Sequence, residues 1–274
     1  MKIDRSLGGG VLFTPGDRPE RFAKAWHASR GALILDLEDA VAAERKPLAR
    51  TAVRAWLAEG FEPLVRINAT SSPHFAGDVA ALRDVRLSGV VIAKTHAPAD
   101  VAAIHRLWPE AALYPLIESP QGLRNVLEIA QGEGVAQLCL GMLDLSATCG
   151  VNYPNSTFLD YARIALTLAS AAAGVAGALD TPHPGYRELE EVAREARSAA
   201  ALGLAGKLCI HPAQLEIVNA AFTPDGDALR WAEEVVAAGS HGGVSVVRGA
   251  MVDAPVVARA HGILRMAERM KSAS

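Results

Sequence analysis

Cysteine is scarce in this chain: Cys139, Cys149 and Cys209 are the only three. An odd number with no C-x-x-C argues against a disulfide framework. The three read as small buried apolar residues in a reducing, cytoplasmic setting. Aromatic residues make up only 5% of the chain while alanine is abundant, which suits close packing of helices on a sheet. No apolar run reaches the roughly 18–20 residues of a membrane span. The longest candidate, Ala162–Ala178, is interrupted by Arg163 and Ser170 and reads as a core helix. Met1–Ser6 is charged and no signal-peptide core follows it. Charge of one sign is missing too. With 27 basic and 30 acidic residues, the net charge is −3, which argues against a nucleic-acid footprint. An anionic cofactor stays open, because a local basic patch can hide in an acidic total. There is no G-x-S-x-G or Ser-His-Asp arrangement, which argues against a serine hydrolase.

What is present is repetition. Apolar strands are expected at Val11–Thr14, Ala32–Leu37, Pro63–Ile67, Gly89–Ala93, Ala112–Ile117, Val135–Leu140, Val175–Leu179 and Ala205–Ile210. Helices are expected after them at Arg18–Ser29, Glu44–Glu59, Phe75–Arg83, Pro98–Trp108, Gln121–Gln131, Phe158–Ala173, Arg187–Leu202 and Ala213–Phe222. In the first helix, Phe22, Ala23 and Trp26 have the spacing of an apolar face. The strands are apolar throughout, as when both faces are buried. Eight such units predict a (β/α)8 TIM barrel over residues 1–223. An open doubly wound sheet would want a G-x-G-x-x-G after strand one, and Pro15-Gly16-Asp17-Arg18 is not one. Residues 224–274 read as a C-terminal helical extension: a helix at Asp227–Ala238, a flexible joint at Gly239–Gly243 containing His241, an extended piece at Val244–Val247 and a last helix at Val256–Met270. Such an appendage can lie across the barrel mouth or on a neighbouring subunit.

A barrel collects its strand tips in one place. The polar tips here are Thr14, Glu38, Asp39, Arg66, Lys94, Glu118, Asp144, Asp180 and His211. Glu118 ends an apolar run, and Ser119-Pro120 after it is a helix start. Glu118 and Asp144 come from adjacent strands, whose tips lie about 5 Å apart. Both could hold one divalent cation, and hard oxygen ligands suit magnesium. Arg66, two strands away, offers a planar fork to a carboxylate or a developing oxyanion. Simpler roles compete. Asp144 and Asp39 could only cap helices. Glu38 and Asp39 could pair with Arg45 or Lys46, or order metal-bound water. Lys94 could be a Schiff-base lysine. His183 and His211, each before a proline, read as loop-shaping residues, and His27, His105 and His261 as helix surface.

Several segments together resemble the citrate lyase beta-subunit-like branch of the HpcH/HpaI aldolase family, which also holds malyl-CoA and citramalyl-CoA lyases. They are Leu12–Pro19, Ile34–Val41, Val65–Asn68, Pro115–Ser119, Gly141–Leu145, Gly206–Gln214 and Gly249–Val257. The resemblance implies a barrel, usually a trimer, that binds magnesium through Glu118 and Asp144. It implies that Arg66 binds the carboxylate end of the substrate. It implies cleavage of a 3-hydroxyacyl-CoA to acetyl-CoA and a 2-keto acid. Asp253 matches an aspartate that reaches a neighbour's site and is the candidate acid/base group. Arg18, Lys24 and Lys207 are candidates for the CoA phosphates. Where relatives carry Ala-Asp before the metal aspartate, this chain has Met142-Leu143, which favours an apolar substituent. Citramalyl-CoA, giving pyruvate, is therefore the first expectation. Citryl-CoA, malyl-CoA, a thioesterase or synthase direction, an acyl-carrier thioester within a citrate lyase complex, and a CoA-independent metal aldolase remain alternatives.

Overall fold

A computed structural model of the chain describes residues 6–239 and 245–272. The charged Met1–Ser6 start, but for Ser6, and nearly all of the expected joint at Gly239–Gly243, His241 included, lie outside them. Eight parallel strands close into a barrel in chain order: β1 (Gly9–Pro15), β2 (Leu33–Asp36), β3 (Leu64–Ile67), β4 (Gly89–Ile92), β5 (Ala112–Ile117), β6 (Gln137–Leu140), β7 (Ala176–Asp180) and β8 (Gly206–Cys209). Closure is made by β8 against β1, with Gly9 opposite Gly206 and Val11 opposite Leu208. The helices around it are α1 (Phe22–Ala28), α2 (Lys46–Ala58), α3 (Phe75–Leu82), α4 (Pro98–Leu107), α5 (Pro120–Arg124), α6 (Val126–Ala130), α7 (Met142–Cys149), α8 (Ser156–Ala173), α9 (Leu189–Ala201) and α10 (Ala213–Phe222). The fold is the (β/α)8 TIM barrel.

Strand side chains alternate between two apolar cores. Val11, Ile34, Leu64, Val91, Leu116, Cys139, Leu179 and Leu208 fill the barrel interior. Their neighbours, among them Leu12, Leu33, Leu35, Val65, Val90, Ile117, Ala178 and Cys209, pack outward against the helices. This is why the strands read as unbroken apolar runs.

Three local readings change. The expected helix Gln121–Gln131 is two short helices, α5 and α6, with a break at Asn125, whose side-chain amide donates to the His96 carbonyl at 2.8 Å. Gly122 lets α5 press on the Thr95 carbonyl, where a Cβ would come within 2.4 Å. The stretch after β6 is not plain connection but α7, closed by Gly150 in the left-handed conformation at φ +67°. In α1 the buried residues are Phe22 and Ala25, while Ala23 faces solvent. Ser119 does cap α5, its hydroxyl accepting from Gly122 N at 3.0 Å.

The C-terminal segment is α11 (Gly226–Gly239), a hairpin of β9 (Ser245–Val247) and β10 (Ala250–Val252), and α12 (Ala254–Ser272). It has its own small apolar cluster around Ala232, Val235, Val252 and Ala260. Among the described residues no helix is long and apolar enough to cross a membrane.

Candidate active site

A cavity of about 220 Å³ opens at the C-terminal end of the barrel. Its walls follow from the strand alternation. Two residues beyond the inward-facing Val11, Ile34, Leu64, Leu116, Cys139, Leu179 and Leu208 come Phe13, Asp36, Arg66, Glu118, Gly141, Thr181 and Ile210, and all seven line the cavity. The barrel's uppermost layer is therefore its chemical layer, as in barrel enzymes generally.

Glu118 sits one residue past β5 and is 6% exposed. Its Oε1 accepts from the Lys94 backbone N–H at 2.6 Å. Its other oxygen points toward Gly141, where a Cβ would lie 2.7 Å from Oε2 and 2.5 Å from the Glu118 Cβ. Glycine there lets the strand tips approach. Burial pushes the Glu118 carboxyl up to about 8; the charges of Glu38 and Asp144 add to this, and the Lys94 amide and Arg66 oppose it. Asp144 lies in the first turn of α7 and lines the same cavity. It does not cap α7, because Gly141 holds that position and the Met142 N–H donates to the Thr181 hydroxyl at 3.0 Å. Among the described residues nothing donates to Asp144 or to Glu118 Oε2.

Arg66 lies across the floor. Its Nε and Nη2 donate to the two oxygens of Asp36 at 2.7 and 2.6 Å, its Nη1 is 3.3 Å from Glu38, and its guanidinium stacks 4.6 Å from the Phe13 ring. Burial works against its charge, but Asp36, Glu38 and Glu118 outweigh it and hold its pKa above the ordinary arginine value. Two of its five N–H groups are committed to Asp36, which leaves donors for a ligand. Lys94 Nζ donates to Glu38 at 2.6 Å and to both oxygens of Asp39 at 3.3 Å. Burial is again outweighed, here by Glu38 and Asp39, so its pKa is raised. That is the opposite of what a Schiff-base lysine needs. Glu38 and Asp39 thus pair with Lys94. Arg45 binds Asp17 instead, and Lys46 Nζ donates to the Leu37 and Glu38 carbonyls.

Lys207 is a correction. It is 1% exposed and cannot meet a CoA phosphate: Leu208 faces the barrel interior, so Lys207 faces the helices. There its ammonium donates to Asp180 at 2.7 Å, the Thr181 carbonyl at 2.7 Å and Glu195 at 3.0 Å. Arg163 completes this cluster with two bonds to Asp180 at 2.9 and 2.8 Å. The sequence reading missed Arg163 as a partner, although a lone arginine inside an apolar helix is itself a signal of a buried acid. Asp180 belongs to this cluster rather than to the mouth. His183 sits between Glu195 and Glu188, and His211 stacks on Tyr186 at 4.6 Å. Arg18 is half exposed beside Asp17 and Lys24 is exposed on α1; neither lines the cavity. Asp253 is exposed at the start of α12, where its carboxylate accepts from Val256 N at 3.2 Å, and it too lies outside the cavity. Met142 is buried in the outer core, so of the pair Met142-Leu143 only Leu143 reaches the cavity.

Asp36, Glu38, Asp39, Glu118 and Asp144 thus meet Arg66 and Lys94, five acids against two bases. The remaining acidic excess, with Glu118 Oε2 and Asp144 turned to the cavity, fits a hard divalent cation that keeps open positions for water and a ligand. Among the described residues no group of three or more His, Cys, Asp or Glu makes a fuller metal cage.

Known proteins bear on this site. A citrate lyase subunit beta-like protein of Mycobacterium tuberculosis is 38% identical over 269 residues, covering 96% of this chain and 97% of the relative. A (3S)-malyl-CoA thioesterase of Cereibacter sphaeroides is 31% identical over 268 residues, covering 94% of each. The mitochondrial citramalyl-CoA lyase of Rattus norvegicus is 28% identical, covering 95% of this chain and 86% of the relative. The crystal structure of the M. tuberculosis protein CitE in complex with magnesium, acetoacetate and coenzyme A superposes with a TM-score of 0.82 at 36% identity, covering 96% of this chain and 99% of that one. With residues 10–212 matching the family model as well, the chain belongs to the HpcH/HpaI aldolase/citrate lyase family.

Proposed function

We propose that the chain is a magnesium-dependent carbon–carbon lyase that cleaves a 3-hydroxyacyl-CoA to acetyl-CoA and a 2-keto acid. The observation that carries this is the acidic excess at the mouth, with Glu118 and Asp144 facing one cavity beside Arg66. Glu118 and Asp144 would hold the ion; the related CitE structure is a complex with magnesium. A bound magnesium supplies Lewis acidity toward the substrate hydroxyl. Arg66, fixed by Asp36, directs its remaining N–H groups at the carboxylate of the keto-acid half and at charge developing on its oxygen. The substrate hydroxyl gives up its proton to water or to a carboxylate at the mouth as its carbon becomes the ketone. The electrons of the breaking carbon–carbon bond pass to the thioester carbonyl, and the resulting enolate takes a proton back to become acetyl-CoA. Asp253 of a second copy is the proposed donor, since in one chain it is an exposed helix cap. Arg18 and Lys24 are the remaining candidates for the CoA phosphates.

The cavity wall supports a keto acid with a single carboxylate. Phe13, Leu116, Leu140, Leu143, Pro182, Leu208 and Ile210 line it, and among the described residues Arg66 is the only basic one in its lining. The far carboxylate of a dicarboxylic keto acid would meet no second cation there. Pyruvate, and hence citramalyl-CoA, is the better fit, a preference worth about 1–3 kcal/mol per methyl group. Thioester hydrolysis is a second reading, favoured by the 31% identical malyl-CoA thioesterase. The purified chain with magnesium, offered citramalyl-, malyl- and citryl-CoA, distinguishes them by product. Acetyl-CoA with pyruvate supports the lyase. Free CoA with an intact hydroxy acid supports hydrolysis. Turnover only of an acyl-carrier thioester would assign the chain to a citrate lyase complex.

A further inference from the structure

Lys94 has a backbone that its residue type does not favour. Its φ is +48°, in the left-handed region. Lysine rarely adopts that region, because Cβ crowds the carbonyl; glycine and asparagine tolerate it. The other described non-glycine residues with positive φ are Arg30 and Arg248, both exposed, whereas Lys94 is half-buried. Lys94 stands at the barrel mouth, two residues past β4.

The segment around it is pinned on both sides. Thr95 Oγ1 donates to the Ile92 carbonyl at 2.8 Å, and Thr95 N donates to the Leu116 carbonyl at 3.2 Å. Between these anchors the left-handed turn aims the Lys94 N–H at Glu118 Oε1, 2.6 Å away. With Oε1 held there, Oε2 is the oxygen turned toward Gly141 and the start of α7, which carries Asp144. The side chain leaves in another direction and clamps Glu38 and Asp39.

We propose that Lys94 is a positioning residue for Glu118, and that it acts through its left-handed backbone amide rather than through its ammonium group. The inference rests on Glu118 being a metal ligand. The left-handed turn sets which carboxylate oxygen is free for the cation, while the ammonium balances the neighbouring acids. Left-handed strain at a site residue persists where the surroundings over-determine it.

Three variants separate backbone from charge. Lys94→Gly and Lys94→Asn remove the ammonium and tolerate the turn. Lys94→Val removes the ammonium and is β-branched, which disfavours the turn. Magnesium affinity is measured by calorimetry on each purified chain, with thermal melts run alongside. The expected result is affinity within about threefold of the wild type for the glycine and asparagine variants and a loss of about tenfold or more for valine, beyond any change in melting. Equal loss in all three overturns the proposal, and so does wild-type affinity in the valine variant. If the valine variant does not fold, glycine decides: affinity within threefold supports the amide role, and a tenfold loss overturns it. Absence of magnesium binding by the wild-type chain would instead overturn the metal reading of the site.

Discussion

Two clusters of buried charge lie at the same end of this barrel, and they differ in whether they are complete. Behind β7 and β8, Arg163 and Lys207 meet Asp180 and Glu195, and Lys207 has three acceptors between 2.7 and 3.0 Å. The lysine has a partner for every donor, and the pull of Lys207 and Arg163 overcomes burial to keep the Asp180 pKa below the usual carboxylate range. At the mouth, five acids meet two bases, and Glu118 is pushed up to about 8 by burial. The first cluster is closed and holds the wall together. The second is acid-rich, an imbalance that suits a hard divalent cation.

Substitution should break the two in opposite ways. The largest effect is expected at the mouth: Asp144→Asn or Glu118→Gln should lower kcat/KM by about 10²-fold or more and weaken magnesium binding, with the melting temperature of the metal-free chain unchanged or raised. Steady-state kinetics, calorimetry and thermal melts check this; normal turnover by either variant removes the metal assignment. Lys207→Met should do the reverse. It leaves Asp180 and Glu195 short of a partner inside the wall, at about 3–5 kcal/mol of stability, read from denaturant unfolding. Gly141→Ala sharpens the contrast within the mouth itself. The new Cβ would sit 2.5 Å from that of Glu118, so magnesium affinity should fall by about tenfold while the fold survives.

The pH response tests the same contrast without a substitution. Burial raises the Glu118 pKa from its ordinary value of 4.5 to about 8 in the folded chain. A carboxyl shifted upward stabilises the fold fully below the unfolded value and loses that contribution as pH rises through the folded one. The metal-free chain should therefore lose stability between about pH 4.5 and 8, and Glu118→Gln should flatten the slope. Magnesium displaces the proton, so its apparent affinity should rise by up to about tenfold per pH unit and level off above 8. An affinity independent of pH over this range would detach Glu118 from the ion.

The barrel and the convergence of Arg66, Glu118 and Asp144 were legible because apolar strand runs and polar tips recur in order. Inside that frame, other residues were misplaced for one reason. Both faces of each strand are apolar, so the residue pattern does not say which face is the interior. Lys207 was aimed at a phosphate and Met142 at the substrate when each belongs to the outer layer. The helices expected from the sequence leave a gap between Leu140 and Phe158, although Gly150 marks the end of α7.

By itself the sequence determined eight strand–helix units and which carboxylates could reach one end of a closed barrel, because alternation of apolar strands and amphipathic helices admits few ways to bury both faces of a sheet. Only the tertiary structure decided which charges are paired and which are left open. That depends on the parity of each strand in the closed barrel and on a left-handed turn at Lys94, and neither is written in any local stretch of residues.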